Sequence, residues 1–244
     1  MHRGMQMLEL LAVRPMRAKE LADATGTKWA TAHRTLSYLR ENGFAGRDDS
    51  TGLHYVGRRL FSIGNAYLRD HPLFNTSEPL TRNSADKINC FVQIAEREGD
   101  ASVVIASAEP RTPIPSISFA HSFMPRPLHA GARGLVLLAF CPEDFTERYL
   151  GSPLRSLTER TITDPDALRE KLAQIISDGY ATSDRDVTTT SAAIAAPIKN
   201  STGDVVASVS IFNYRDRVLD RDLILHEILG LSRSLSQLIG WRAD

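Results

Sequence analysis

The sequence predicts an α+β protein in which a small helical unit closed by a β-hairpin precedes a larger domain of antiparallel strands and segregated helices. Three observations predict it. Residues 17–43 read as two helices joined at Gly26, and residues 44–57 as two short strands around an Asp- and Gly-rich turn. The chain is neutral, with 29 Lys and Arg against 29 Asp and Glu, yet residues 1–70 hold eleven bases and seven acids, a local balance of +4. Downstream, apolar strands flank hairpin turns at Glu98-Gly99-Asp100 and Asn200-Ser201-Thr202-Gly203-Asp204, with amphipathic helices between and around them.

In order along the chain, residues 3–13 form an amphipathic helix through Met7, Leu8, Leu10 and Leu11, stopped by Pro15. The next helix is short, with Ala18, Leu21, Ala22 and Ala24 as inner positions. Gly26 supplies the backbone freedom a helix end needs, and Thr27 is expected to cap the following helix. There Ala32, Leu36 and Leu39 recur at i, i+4, i+7 as an apolar stripe, and Thr31, Arg34, Ser37 and Tyr38 face outward. Three helices and a hairpin make a winged helix-turn-helix, over residues 1–57, whose last hairpin helix enters the DNA major groove.

Lys28, Thr31 and Arg34 are then the leading DNA-binding candidates, with Thr27, Trp29, His33 and Ser37 beside them. Arg34 suits a bidentate contact to guanine or a phosphate. Trp29 either stacks on sugar and methyl groups or packs on the wing. Arg47 and His54 on the wing either reach the DNA backbone or are simply solvated. Residues 58–70 form a linker helix in which Leu60, Ile63, Tyr67 and Leu68 make a stripe it cannot bury alone, a candidate dimer seam.

Residues 71–244 form the second domain. Helices are expected over 75–89, 130–139, 144–150, 165–178 and 219–240, and strands over 90–96, 101–107, 116–120, 192–199 and 205–212. No phosphate loop, dinucleotide fingerprint or nucleophile elbow occurs, so no enzyme and no cofactor is expected. Cys90 and Cys141 fit no metal or redox spacing and read as reduced, packed thiols. His121 and His129 read as structural rather than metal-binding. Asp184-Arg185-Asp186 reads as a solvated turn before a cation site. No apolar run approaches a membrane span and no signal peptide is recognised, so a cytoplasmic protein is expected.

The runs Leu8-Glu9-Leu10-Leu11, Lys19-Glu20-Leu21-Ala22, Thr31-Ala32-His33-Arg34, Leu39-Arg40-Glu41-Asn42-Gly43-Phe44 and Tyr55-Val56-Gly57-Arg58-Arg59-Leu60 resemble the N-terminal domain of IclR-type transcriptional regulators. Pro127-Leu128-His129-Ala130-Gly131-Ala132-Arg133-Gly134, Ile162-Thr163-Asp164, Gly179-Tyr180-Ala181 and Ile194-Ala195-Ala196-Pro197-Ile198 extend the resemblance, in order, over essentially the whole chain. It implies a homodimer or homotetramer on a palindromic operator in double-stranded DNA. It also implies a C-terminal GAF-like domain that binds a small-molecule effector.

Carried over position by position, the effector residues are Ala132, Arg133, Ser183, Ala193, Ser210 and Phe212. Several positions depart from the family pattern. Arg133 stands where a small residue is usual, Leu135 where lysine is common, Thr190 for a glycine and Ala192 for an arginine. Ser183 stands where some members carry aspartate. An arginine at a pocket mouth suits a carboxylate, so an anionic organic or aromatic acid is expected, held by Arg133 with Ser183 or Ser210 and walled by Phe212. The alternative is that Arg133 fills the cavity itself or points to solvent. Against the regulator stand two other readings: a small-molecule-binding enzyme or sensor with a winged-helix appendage, and a winged helix acting through protein contacts.

Overall fold

The computed structural model describes residues 2–111, 124–214 and 221–242. The chain divides into two compact units, residues 1–71 and 72–244. The strand expected over 116–120 and His121 lie outside the described residues.

The first unit runs α1 (His2–Val13), α2 (Ala18–Ala24), α3 (Trp29–Glu41), β1 (Ala45–Arg47), β2 (His54–Val56) and α4 (Arg58–Arg69). Its core is Met7 and Leu11 of α1, Met16, Leu21 and Ala22 of α2 and its approach, and Ala32, Leu36 and Leu39 of α3. Ala24, expected inside, is exposed. Arg17 N–H donates to the Glu20 carboxylate at 2.7 Å, which satisfies one free amide of the α2 N-terminus. Gly26 takes φ +60° at the turn.

Thr27 does not cap α3. The N-cap is Lys28, with no side-chain bond, because the helix starts one residue later than the hydroxyl would need. Thr27 Oγ1 instead pairs with Thr25 Oγ1 at 2.7 Å.

The wing pairs Ala45 with Val56, Gly46 with Tyr55 and Arg47 with His54. Its turn is held by the Asp48 carboxylate, which accepts from Ser50 N–H, Ser50 Oγ and Thr51 N–H. Met16 and His54 exchange both backbone hydrogen bonds, at 3.0 and 2.8 Å, and so tie the wing to the segment before α2. α4 has no buried residue; Phe61 is 74% exposed, and Ile63 and Tyr67 are exposed with it.

The second unit begins with α5 (Pro72–Ile88), which starts three residues before the expected 75 because Pro72 suits a helix N-terminus as well as a break. It continues β3 (Phe91–Glu98), β4 (Ala101–Ala108), β5 (Arg126–Pro127), α6 (Ala132–Ala139), α7 (Glu143–Leu150), α8 (Pro165–Asp178), β6 (Ala181–Asp184), β7 (Ser191–Lys199), β8 (Val205–Tyr214) and α9 (Arg221–Leu238). Local signals set α8 at both ends: Asp164 accepts from Ala167 N–H at 2.8 Å, and Gly179 closes the helix at φ +76°.

The strands form an antiparallel sheet in the order β5-β4-β3-β8-β7-β6. One face carries Val92, Ile94, Ile194, Ile198, Val209 and Ile211, all buried, and packs under α5 and α9. Ser232 Oγ of α9 donates to Pro197 O, and Lys199 N–H to Ser236 Oγ. The other face packs under α6, which is buried along its whole length and backed by α8.

Gly57 lets the chain turn from the wing into α4: a Cβ there would lie 2.2 Å from Gly43 O and 2.6 Å from Phe44 C, backbone atoms that cannot swing away. Gly57→Ala is therefore expected to destabilise the first unit by roughly 1–3 kcal/mol. Unfolding followed by Trp29 emission in a Trp241→Phe background measures it; an unchanged midpoint contradicts the close approach.

Candidate nucleic-acid interface and effector site

The outer face of α3 gathers most of the residues expected on DNA. Lys28, Trp29, His33 and Arg34 are exposed, and Thr27, Thr31 and Ser37 half-buried. Trp29 is 59% exposed, and its ring tilts against His33, centroids 5.2 Å apart. Arg47 is exposed on the wing, 3.7 Å from Asp49. Lys28, Arg34 and Arg47 thus leave cationic heads in water, as a phosphate-binding surface requires.

His54 is the exception. It is 5% exposed, inward from the strand whose backbone pairs with Met16, and its Nδ1 has no hydrogen-bond partner. Burial, then the charges of Arg40, Arg47 and His33, holds its pKa below the ordinary histidine value. His54 is a packing residue of the wing, not one presented to a ligand.

In the second unit, strand register brings the expected effector residues together. Ser183, Ala193 and Phe212 are cross-strand partners in one row, which continues to Phe91. Phe91 and Phe212 stack at 5.0 Å and 14°. The adjacent row runs Ala195, Ser210, Gln93, Ser107. Both rows face α6, where Ala132 and Arg133 form the first turn and are buried.

Arg133 is not at a mouth. It is 7% exposed, with Nη1 donating to Gln93 Oε1 (3.0 Å), Nε to Ser102 Oγ (3.3 Å) and Nη2 to Met124 O (3.4 Å). Neutral acceptors solvate a guanidinium less well than water, so burial pushes its pKa down to about 9, with repulsion from Arg126 adding to the shift. It still carries its charge at neutral pH. Of the two alternatives to carboxylate capture, pointing to solvent is therefore overturned.

Sequence reasoning missed Gln93, Ser102, Arg126 and Asp186. Gln93 is 2% exposed, and its Nε2 has no hydrogen-bond partner; neither has Ser107 Oγ beside it. A lone carboxamide inside the apolar run Phe91–Ala95 was the available signal. Asp186, expected in a solvated turn, is buried and accepts from Gly131 N–H at 3.0 Å. Burial raises its pKa, and its charge in turn supports half-buried Arg126.

Arg160 pairs with Asp184 at 2.8 Å. Among the described residues no group of three or more His, Cys, Asp or Glu side chains could hold a metal ion. His129 is structural: its ring nitrogens meet Tyr149 OH at 2.8 Å and Arg155 O at 3.0 Å. No helix among the described residues is long and apolar enough to cross a membrane.

Residues 65–240 match the family model described as the bacterial transcriptional regulator IclR C-terminal domain, and residues 2–49 the IclR helix-turn-helix domain. The chain belongs to the IclR family. Among its relatives in that family is the HTH-type transcriptional regulator BhcR of Paracoccus denitrificans, 31% identical, with 99% of this chain and 88% of BhcR covered. The crystal structure of an IclR-type regulator from Alicyclobacillus acidocaldarius superposes with a TM-score of 0.85 at 21% identity, covering 98% of each chain. An IclR homolog from Microbacterium hydrocarbonoxydans, solved in complex with 4-hydroxybenzoate, gives a TM-score of 0.79 at 23% identity over 97% of each chain. IclR-type architecture is thus shared over the full length, an N-terminal helix-turn-helix followed by an α+β effector domain.

The burial of His54 sets a pH dependence in this IclR helix-turn-helix unit. Its folded pKa lies below the unfolded value of 6.5, so on acidification the unfolded chain takes up the proton first and stability is lost as pH falls through that range. The unfolding midpoint of the first unit is expected to drop between about pH 7.5 and 5.5, and to drop less in His54→Gln. Equal slopes would show that His54 is not the group responsible.

Proposed function

We propose that this chain is a cytoplasmic, ligand-responsive transcriptional regulator and not an enzyme. It binds a palindromic operator in double-stranded DNA as a homodimer or homotetramer, and an anionic organic or aromatic acid controls that binding. The observation that carries the DNA half is the exposed face of α3, with Lys28, Trp29, His33 and Arg34 on the second helix of the helix-turn-helix, the one that lies in the major groove in proteins of this motif. The bare apolar face of α4 suits a seam between copies.

The effector half rests on charge. Arg126 repels the positive charge of buried Arg133 within one unit, above a face lined by Phe91, Phe212, Gln93 and Ser210. An anion between two guanidinium groups offsets their repulsion, and a stacked aromatic pair favours a ring. The 4-hydroxybenzoate bound by the Microbacterium homolog is an acid of this class. A ligand changes operator affinity only by its differential affinity for the DNA-competent state.

Gel shift with the DNA upstream of the protein's own gene, over a series of salt concentrations, tests the first half. A shift that weakens steeply with salt is expected, and Arg47→Ala should reduce the salt slope by about 1. No shift at low salt would overturn the reading. Calorimetric titration with a panel of organic acids, beginning with benzoate and 4-hydroxybenzoate, tests the second. An acid that binds the wild type should lose about tenfold or more in Arg133→Met, equivalent to about 1.4 kcal/mol. Equal affinity in a folded variant would remove Arg133 from the site.

A further inference from the structure

Trp29 is the first residue of α3, and its indole lies mostly in water, tilted against the His33 ring one turn on. Ala30 next to it is exposed as well. The leading turn of the groove helix therefore presents an indole and a methyl group, an apolar surface at the end that reaches base edges first. Beyond it the exposed side chains up to Arg40 are His33, Arg34, Tyr38 and Arg40 itself, with Thr31, Thr35 and Ser37 half-buried. From Trp29 to Arg40 the helix carries no carboxamide and no carboxylate.

That inventory selects among base edges. In the major groove adenine N6 and cytosine N4 are donors, read bidentately by Asn or Gln and by the carboxylates of Asp or Glu. α3 has none of these before Glu41 and offers instead the undiscriminating hydroxyls of Thr31, Ser37 and Tyr38. Guanine shows two acceptors, which suit a guanidinium. Thymine shows its C5 methyl, which suits an apolar surface. A face that combines Arg34 with Trp29 and Ala30 matches guanine and thymine.

We infer that Trp29, held by His33 and flanked by Ala30, reads thymine methyl groups in each operator half-site and is a specificity-determining residue of this protein. The inference rests on the reading of the chain as a DNA-binding regulator. Covering a methyl group with an indole removes apolar surface from water on both partners and needs no hydrogen bond, so it discriminates thymine from cytosine without a carboxamide or carboxylate on the helix.

The test is selection of duplexes from a random pool by the full-length wild-type protein, followed by resynthesis of a selected duplex with deoxyuridine for thymidine at single positions. This exchange deletes only the C5 methyl. At one or two thymine positions per half-site, the exchange is expected to weaken wild-type binding roughly three- to fivefold. Trp29→Ala should bind the thymine duplex more weakly and show no further loss with uridine, and Trp29→Phe should retain part of the sensitivity. In a Trp241→Phe background the thymine duplex should also quench Trp29 emission more than the uridine duplex does. Equal uridine effects in wild type and Trp29→Ala, or none at any position in the wild type, would overturn the inference. Recovery of no DNA at all by the wild type would overturn the DNA-binding reading itself, and is told apart because it precedes any uridine comparison.

Discussion

Antiparallel pairing of β3 with β8 joins residues 91–95 to residues 208–212 and places the last strand beside β3 at the middle of the sheet. Such a contact closes a loop of more than a hundred residues before it is rewarded. Once made, it defines both layers of the second unit. Ile94 and Val209 share the face under α5 and α9, while Gln93, Ser210, Phe91 and Phe212 share the face under α6. The polar row and the aromatic row exist only in this register, because a slip of one residue would exchange the two faces.

The second unit concentrates on one sheet face a cost that the first shows at a single buried histidine, His54. A buried guanidinium on neutral acceptors, a carboxamide nitrogen without a partner and a buried Asp186 all lie on one side of one sheet. The opposite face is almost purely aliphatic. Such an imbalance within a single sheet is the mark of a face kept for something other than stability. In the first unit the charges sit outside, and the interior of α1, α2 and α3 is apolar throughout.

What could be read from the sequence follows the range of the interactions. α8 was legible to both ends because Asp164-Pro165 and Gly179 are local signals, and the β3–β4 hairpin because Gly99 marks its turn. β6 was missed: Ala181–Asp184 is four residues with no apolar alternation, and only pairing with β7 makes it a strand. Thr27 was misplaced by a single residue, which is enough to remove a cap. The burial of His54 was not legible because the segment its backbone pairs with, at Met16, lies far from it along the chain. The same holds for the candidate site. Family resemblance picked out Arg133, Ser210 and Phe212, but the depth of Arg133 depends on Gln93 and Ser102, far away in sequence and visible only through the sheet.

The bridge between Met16 and His54 has a consequence for motion. Two backbone hydrogen bonds fasten the body of the wing to the rest of the first unit at that point, and neither belongs to a helix or to the β1–β2 ladder. The Met16 and His54 amides are therefore a private pair of reporters. Their exchange with solvent deuterium follows release of the wing alone, at a free energy below that of global unfolding, while the amides of α3 report on the core. A wing that lifts before it meets DNA, and one that stays clamped, would be distinguished by two protons.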